Sequence, residues 1–315
     1  MTKANSPRTN SIHSFFERLE EYNKLEENRK EIIQELAHLS KKDDNLLKIS
    51  KALLNTAIKL KQDIESADNR TNNQEKSKHL LRTYTYSYPC ILNYFKYLSD
   101  IENKKALLDK EAPSNSKLNQ DVFQQLNNEK DILIQSILIV YGWMPRIIRL
   151  NPYSANSIPG TTTELNKIIE FFAILRKSNE EEAYNLIDKN NDKILEKIQK
   201  LIDNSLTATS KLLHFTRPEE FPIWDSTVCN NLAGTTHKKQ TIEGYKQFIS
   251  DFREFRNAYN KNAAIQCVLN YSKEILGYNI SLARLLELTI FLHPTKKQAK
   301  TTRLSTNRNP RKQVQ

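Results

Sequence analysis

The chain has 315 residues, 38% of them hydrophobic, and only five glycines. That length supports one large domain or two modest ones, and the sequence contains no Gly-rich phosphate loop and no dinucleotide fingerprint. A formal net charge of +11 points to a polyanionic partner. Seven of the basic residues, Lys296, Lys297, Lys300, Arg303, Arg308, Arg311 and Lys312, sit without a single acid in 294–315. Such a tail reads as disordered, either adding salt-sensitive attraction to phosphates or serving only as a solvated terminus.

Residues 1–10 are polar and read as a loose N-terminus without the apolar core of a signal peptide. From Ile12 to Leu39 apolar residues recur at spacings of three and four, and a second such run spans Leu46 to Ile64. With the turn K-K-D-D-N at 41–45 between them, 11–68 is expected to form a helical hairpin, an accessory or partner-binding segment. The polar run at 66–74 marks its boundary.

The alternation R-T-Y-T-Y-S-Y at 82–88 predicts a short strand or an extended segment ended by Pro89, with Tyr84, Tyr86 and Tyr88 lining a groove or lying on an exposed edge. Helix resumes over 91–98. Another long helix is expected over 121–140. Its longest apolar run, Ile132 to Tyr141, is too short to cross a membrane. Further helices are predicted at 164–177, 180–188, 190–205, 207–215, 226–233, 240–258, 260–276 and 281–292. The expected fold class is therefore all-α, with a core over 75–293, and the chain reads as soluble and cytoplasmic, in a bacterial cytosol and near the nucleoid.

Three scattered cysteines, Cys90, Cys229 and Cys267, form no CxxC pair and argue against a disulfide framework. The six histidines show no ligand spacing, so no metal and no cofactor is expected. No Ser–His–Asp arrangement with a nucleophile elbow is present.

Chemistry concentrates at 205–234, S-L-T-A-T-S-K-L-L-H-F-T-R-P-E-E-F-P-I-W-D-S-T-V-C-N-N-L-A-G. Hydroxyls at Ser205–Thr207 are suited to cap a short helix that carries Lys211 in its N-terminal half. There the helix dipole and partial burial would push an amine toward its neutral, nucleophilic form. A turn built on Pro218 and Pro222 follows. Asp225 then stands at the N-cap of the next helix, where N–H bonds keep a carboxylate ionised, the state that stabilises an oxocarbenium-like sugar. Each group also has a structural reading: Asp225 as a cap, Lys211 as a surface lysine, and His214 and Trp224 as core residues.

A lysine early in a helix, a proline turn, and P-I-W-D-S-T-V at 222–228 opening the next helix resemble the helix-hairpin-helix DNA glycosylases. The resemblance implies an all-α base-excision enzyme acting on duplex DNA with a modified or damaged base. It implies Asp225 as the catalytic carboxylate and Lys211 as a Schiff-base nucleophile. Two departures stand out. The family's Leu-Pro-Gly-x-Gly turn is replaced here by I-D-N-S-L-T-A-T-S, and the fourteen-residue spacing from Lys211 to Asp225 is shorter than usual. Asp225 therefore transfers more firmly, and a monofunctional enzyme using Asp225 and a water needs no lysine nucleophile. The glycine-free segment offers Ser205, Thr207, Thr209 and Ser210 hydroxyls to a phosphate.

A glycosylase also needs groups to brace an extruded base. Tyr141, Trp143 and Met144 are candidates for the wedge or base pocket, together with Trp224. Arg146, Arg149, Lys238 and Lys239 are candidates for backbone contacts. The alternative is a non-catalytic nucleic-acid-binding or scaffold protein that uses the basic tail and the N-terminal hairpin.

Overall fold

In a computed structural model of the chain, the structure describes residues 11–18, 30–41, 43–69, 87–100, 129–142, 162–188, 193–233 and 240–292. Among these residues all regular structure is helical, as the sparse glycine and the three–four apolar spacing predict. In chain order the helices are α1 (Ser11–Arg18), α2 (Lys30–Leu39), α3 (Asp44–Asn69), α4 (87–100), α5 (Glu129–Gly142) and α6 (Thr162–Lys177). They continue with α7 (Glu180–Asp188), α8 (Ile194–Leu201), α9 (Leu206–Thr216), α10 (Ser226–Ala233), α11 (Ile242–Tyr259), α12 (Ala263–Leu276) and α13 (Leu282–Leu292). No helix among the described residues is long and apolar enough to cross a membrane.

The ends of these helices are written locally. Asp43 accepts the Leu46 N–H at 3.0 Å and caps α3, and Thr241 and Asn262 cap α11 and α12 in the same way. The Asn179 N–H donates to Glu182 Oε2 at 2.9 Å and the Glu182 N–H to Asn179 Oδ1 at 3.0 Å, a capping box at the start of α7. Gly277 ends α12 at φ 77°, a conformation that glycine adopts without steric cost.

The chain divides into two compact units, one of Met1–Lys61 with Trp224–Gln315, the other of Gln62–Ile223. In the first unit α10 packs on α13, α1 on α10 and α11, and α2 on α12. Helix α13 is its central element, buried continuously from Leu282 to Ile290. That burial includes Arg284 and Glu287, which neutralise each other through an ion pair one turn apart on the same helix. Thr56 on α3 reaches Thr289 on α13 at 2.8 Å.

In the second unit α9 packs against α5, α6 and α8, while α6 also meets α5, α7 and α8. The aromatic centre consists of Tyr88, Phe95 and Phe215, with Tyr88 at 5.5 Å and Phe95 at 5.8 Å from the Phe215 ring.

Two expectations change. The segment 11–68, read as an accessory hairpin, contributes α1, α2 and most of α3 to the same unit as the C-terminal helices, and helix α3 runs on to Asn69. The strand read over 82–88 fails at its end: residues 87 and 88 are helical, and Pro89 lies in the same helical stretch. Tyr88 is 1% exposed and belongs to the core, so it neither edges a strand nor lines a groove. Residues 82–86, with Tyr84 and Tyr86, lie outside the described residues.

Candidate functional site

Helices α8 and α9 form a hairpin. Ile202 closes α8, its N–H directed to the Ile198 and Gln199 carbonyls. Asp203 and Asn204 follow at φ 52° and 54°, both left-handed. Asp and Asn are the non-glycine residues that tolerate this region best. They supply the reversal for which the sequence has no glycine. Gln199 Nε2 ties the turn down by donating to the Asn204 carbonyl at 3.0 Å. Ser205 then caps α9, its hydroxyl accepting the Ala208 N–H at 3.2 Å, as the hydroxyl run predicts.

Lys211 is the sixth of eleven residues in α9 and 3% exposed. It stands beyond the first turn, where the partial charge of the helix end is felt, so the dipole argument made from sequence does not apply to it. Nor is it a surface lysine. Thr209 and Ser210 are fully buried, and their hydroxyls donate within the helix to the carbonyls of Ser205 and Thr207, at 3.0 and 2.9 Å. They face the core and are corrected as phosphate contacts. Ser205 and Thr207 remain partly exposed.

The segment after α9 is held from several sides. The Phe221 carbonyl can only accept, so His214 Nδ1 carries the proton of their 2.7 Å bond, and Nε2 accepts from the Tyr88 hydroxyl at 2.9 Å. His214 is thus a core histidine, as its structural reading has it, with both ring nitrogens engaged. Arg217 bonds both oxygens of Glu220, at 2.7 and 3.2 Å, and the Ser178 carbonyl at 2.5 Å. The Tyr184 hydroxyl adds a 3.4 Å contact to the Glu220 carbonyl. The T-R-P-E-E-F-P segment is therefore a bonded turn within the second unit.

Asp225 opens α10 in the first unit. Its Oδ1 accepts the Val228 N–H at 2.8 Å, and its carbonyl accepts from the Cys229 N–H at 2.9 Å. This is the N-cap predicted from sequence. The carboxylate is half-buried. Trp224, offered as a base-pocket residue, is 5% exposed and lies against Phe248 at 5.0 Å and Tyr245 at 6.4 Å. It is a core anchor, with its carbonyl bonded by Gln240 Nε2. Sequence patterning carried no sign of Gln240 in this role, because the bond spans sixteen residues.

Of the other candidates, Tyr141 lies on α5 with its side chain outside the described part, and Trp143, Met144, Arg146, Arg149, Lys238 and Lys239 lie outside the described residues altogether. Among the described residues no group of three His, Cys, Asp or Glu side chains is placed to hold a metal ion. Comparison with protein-family models, with curated proteins and with solved structures returns no match to this chain.

Proposed function

We propose that this protein is a DNA N-glycosylase that cleaves the bond between a modified base and its sugar. The observation that carries the reading is Asp225: a half-buried carboxylate capping α10, the next helix in sequence after a helical hairpin with a tight left-handed turn. That order of hairpin, proline turn and capped aspartate is what the resemblance to helix-hairpin-helix glycosylases requires. An aspartate bonded by a backbone N–H stays ionised. It stabilises the sugar cation as the glycosidic bond lengthens, and water then attacks C1′ on the open face.

Lys211 has the second place in this reading. Its amine is buried, so the mechanism is assigned to Asp225 and a water rather than to a Schiff base. The partly exposed N-terminus of α9, with Ser205 and Thr207, is the element offered to a phosphate.

A second reading, a non-catalytic nucleic-acid binder, is favoured by the acid-free basic run of 294–315. The two separate in one experiment with the full chain at moderate salt. Binding is titrated against duplex with a cationic pyrrolidine abasic analogue and against plain duplex. A glycosylase prefers the analogue by about tenfold or more, about 1.4 kcal/mol, and loses that preference in Asp225→Asn. Equal affinity for both duplexes, unchanged by the substitution, establishes the binder instead.

A further inference from the structure

Helix α1 has eight residues, too few for a helix to persist alone in water. Its conformation therefore depends on what it docks against. Among the described elements it packs on α10 and α11. Ile12 and Phe15 are fully buried and Phe16 nearly so. The Phe16 ring stacks on Phe255 at 6.0 Å, and His13 lies 5.9 Å from the Tyr259 ring, with Nε2 3.4 Å from the Tyr259 hydroxyl.

A polar lock completes the contact. Asp251 on α11 is 4% exposed. Its Oδ2 accepts from both the backbone N–H, at 3.0 Å, and the hydroxyl of Ser11, the first residue of α1. Its Oδ1 accepts from Gln247 Nε2 at 2.7 Å. A buried carboxylate is tolerated only when hydrogen-bonded, and the N-terminus of a helix is the favoured place for one. The carboxylate and the helix start thus satisfy each other across 240 residues of chain.

We infer that α1 is a latched clip: Asp251 grips its first residue, and the docked clip positions α10, the helix that Asp225 caps. Asp251 and Ser11 then act on Asp225 only through the packing of α1 on α10, and they are positioning residues rather than catalytic ones. The clip itself rests on packing. Its consequence for catalysis rests on the reading under Proposed function.

The test is hydrogen exchange of the full-length chain, followed by mass spectrometry, for Asp251→Ala and the milder Ser11→Ala. Asp251→Ala is expected to speed exchange about tenfold in both 11–18 and 226–233 while 206–216 stays within about twofold. Ser11→Ala, which removes one hydroxyl bond, should move the same two segments to a smaller degree. Faster exchange in 11–18 alone overturns the clip, as does no change in either segment. Should Asp251→Ala unfold the chain, Ser11→Ala decides by the same criterion.

A DNA arm separates this inference from the glycosylase reading. In Ser11→Ala the affinity for the pyrrolidine duplex should fall about threefold or more with plain-duplex binding unchanged. Wild-type protein without preference for the analogue sinks the glycosylase reading and leaves an exchange result in favour of the clip intact. An analogue preference that Ser11→Ala leaves untouched, with exchange in 226–233 also unmoved, removes the clip and keeps the glycosylase.

Discussion

The Tyr88 hydroxyl donates to His214 Nε2 at 2.9 Å, joining α4 to α9 across 126 residues of sequence. Both side chains are buried, at 1% and 0% exposure. Tyr88→Phe leaves the ring packed against Phe215 and removes only the donor. Loss of this buried bond should cost about 1 kcal/mol, read as a lower urea midpoint. An unchanged midpoint would show that the hydroxyl bond contributes nothing.

The hairpin turn offers a different kind of test. At Asn204, φ 54°, a β-branched side chain meets the steric penalty of the left-handed region. Asn204→Val should lose about 1–2 kcal/mol, and Asn204→Gly should be close to neutral. Thermal melts of the pair settle it: equal destabilisation by both would mean that the asparagine is held by something other than its backbone conformation.

Asp225 combines a structural and a proposed chemical role, and two substitutions pull them apart. Asparagine keeps an acceptor for the Val228 N–H, whereas alanine removes it and should cost about 1 kcal/mol of stability. Asp225→Asn should therefore fold as well as the wild type and still bind DNA, yet release no base. Base release retained by the asparagine variant would rule out the carboxylate as the cation stabiliser.

Cys267 on α12 provides a pH-dependent reporter for the first unit. Burial raises its thiol pKa, and the Glu35 carboxylate on α2 raises it further by charge and by a hydrogen bond. The thiolate is the reactive form, so alkylation of Cys267 at pH 8 should be slow. Glu35→Gln removes the like charge and lowers the pKa, so the rate at pH 8 should rise and the inflection move to lower pH. Iodoacetamide labelling read by peptide mass spectrometry checks this. A rate insensitive to Glu35→Gln would show that the α2–α12 contact is not formed in solution.

Much of the helical layout was legible from residue order. The predicted 180–188 and 226–233 coincide with α7 and α10, and 207–215 differs from α9 by one residue at each end. Caps such as Ser205 and Asp225 were legible for the same reason: a cap bonds a backbone N–H within three residues, so its signal is local. The alternation ending at Tyr88 misled at that end because a two-residue period reads only neighbouring residues, whereas 87 and 88 are helical and Tyr88 is packed in the core.

What the sequence determined alone was the all-helical class, the proline turn after α9 and the capping carboxylate at Asp225, all properties of neighbouring residues. Tertiary structure decided which side chains face inward. It buried Lys211, Thr209 and Ser210 within α9, engaged both nitrogens of His214 and latched Ser11 to Asp251. Burial and long-range bonding depend on which helix packs against which. A spacing rule that reads a few residues at a time carries no information about partners 126 or 240 positions away.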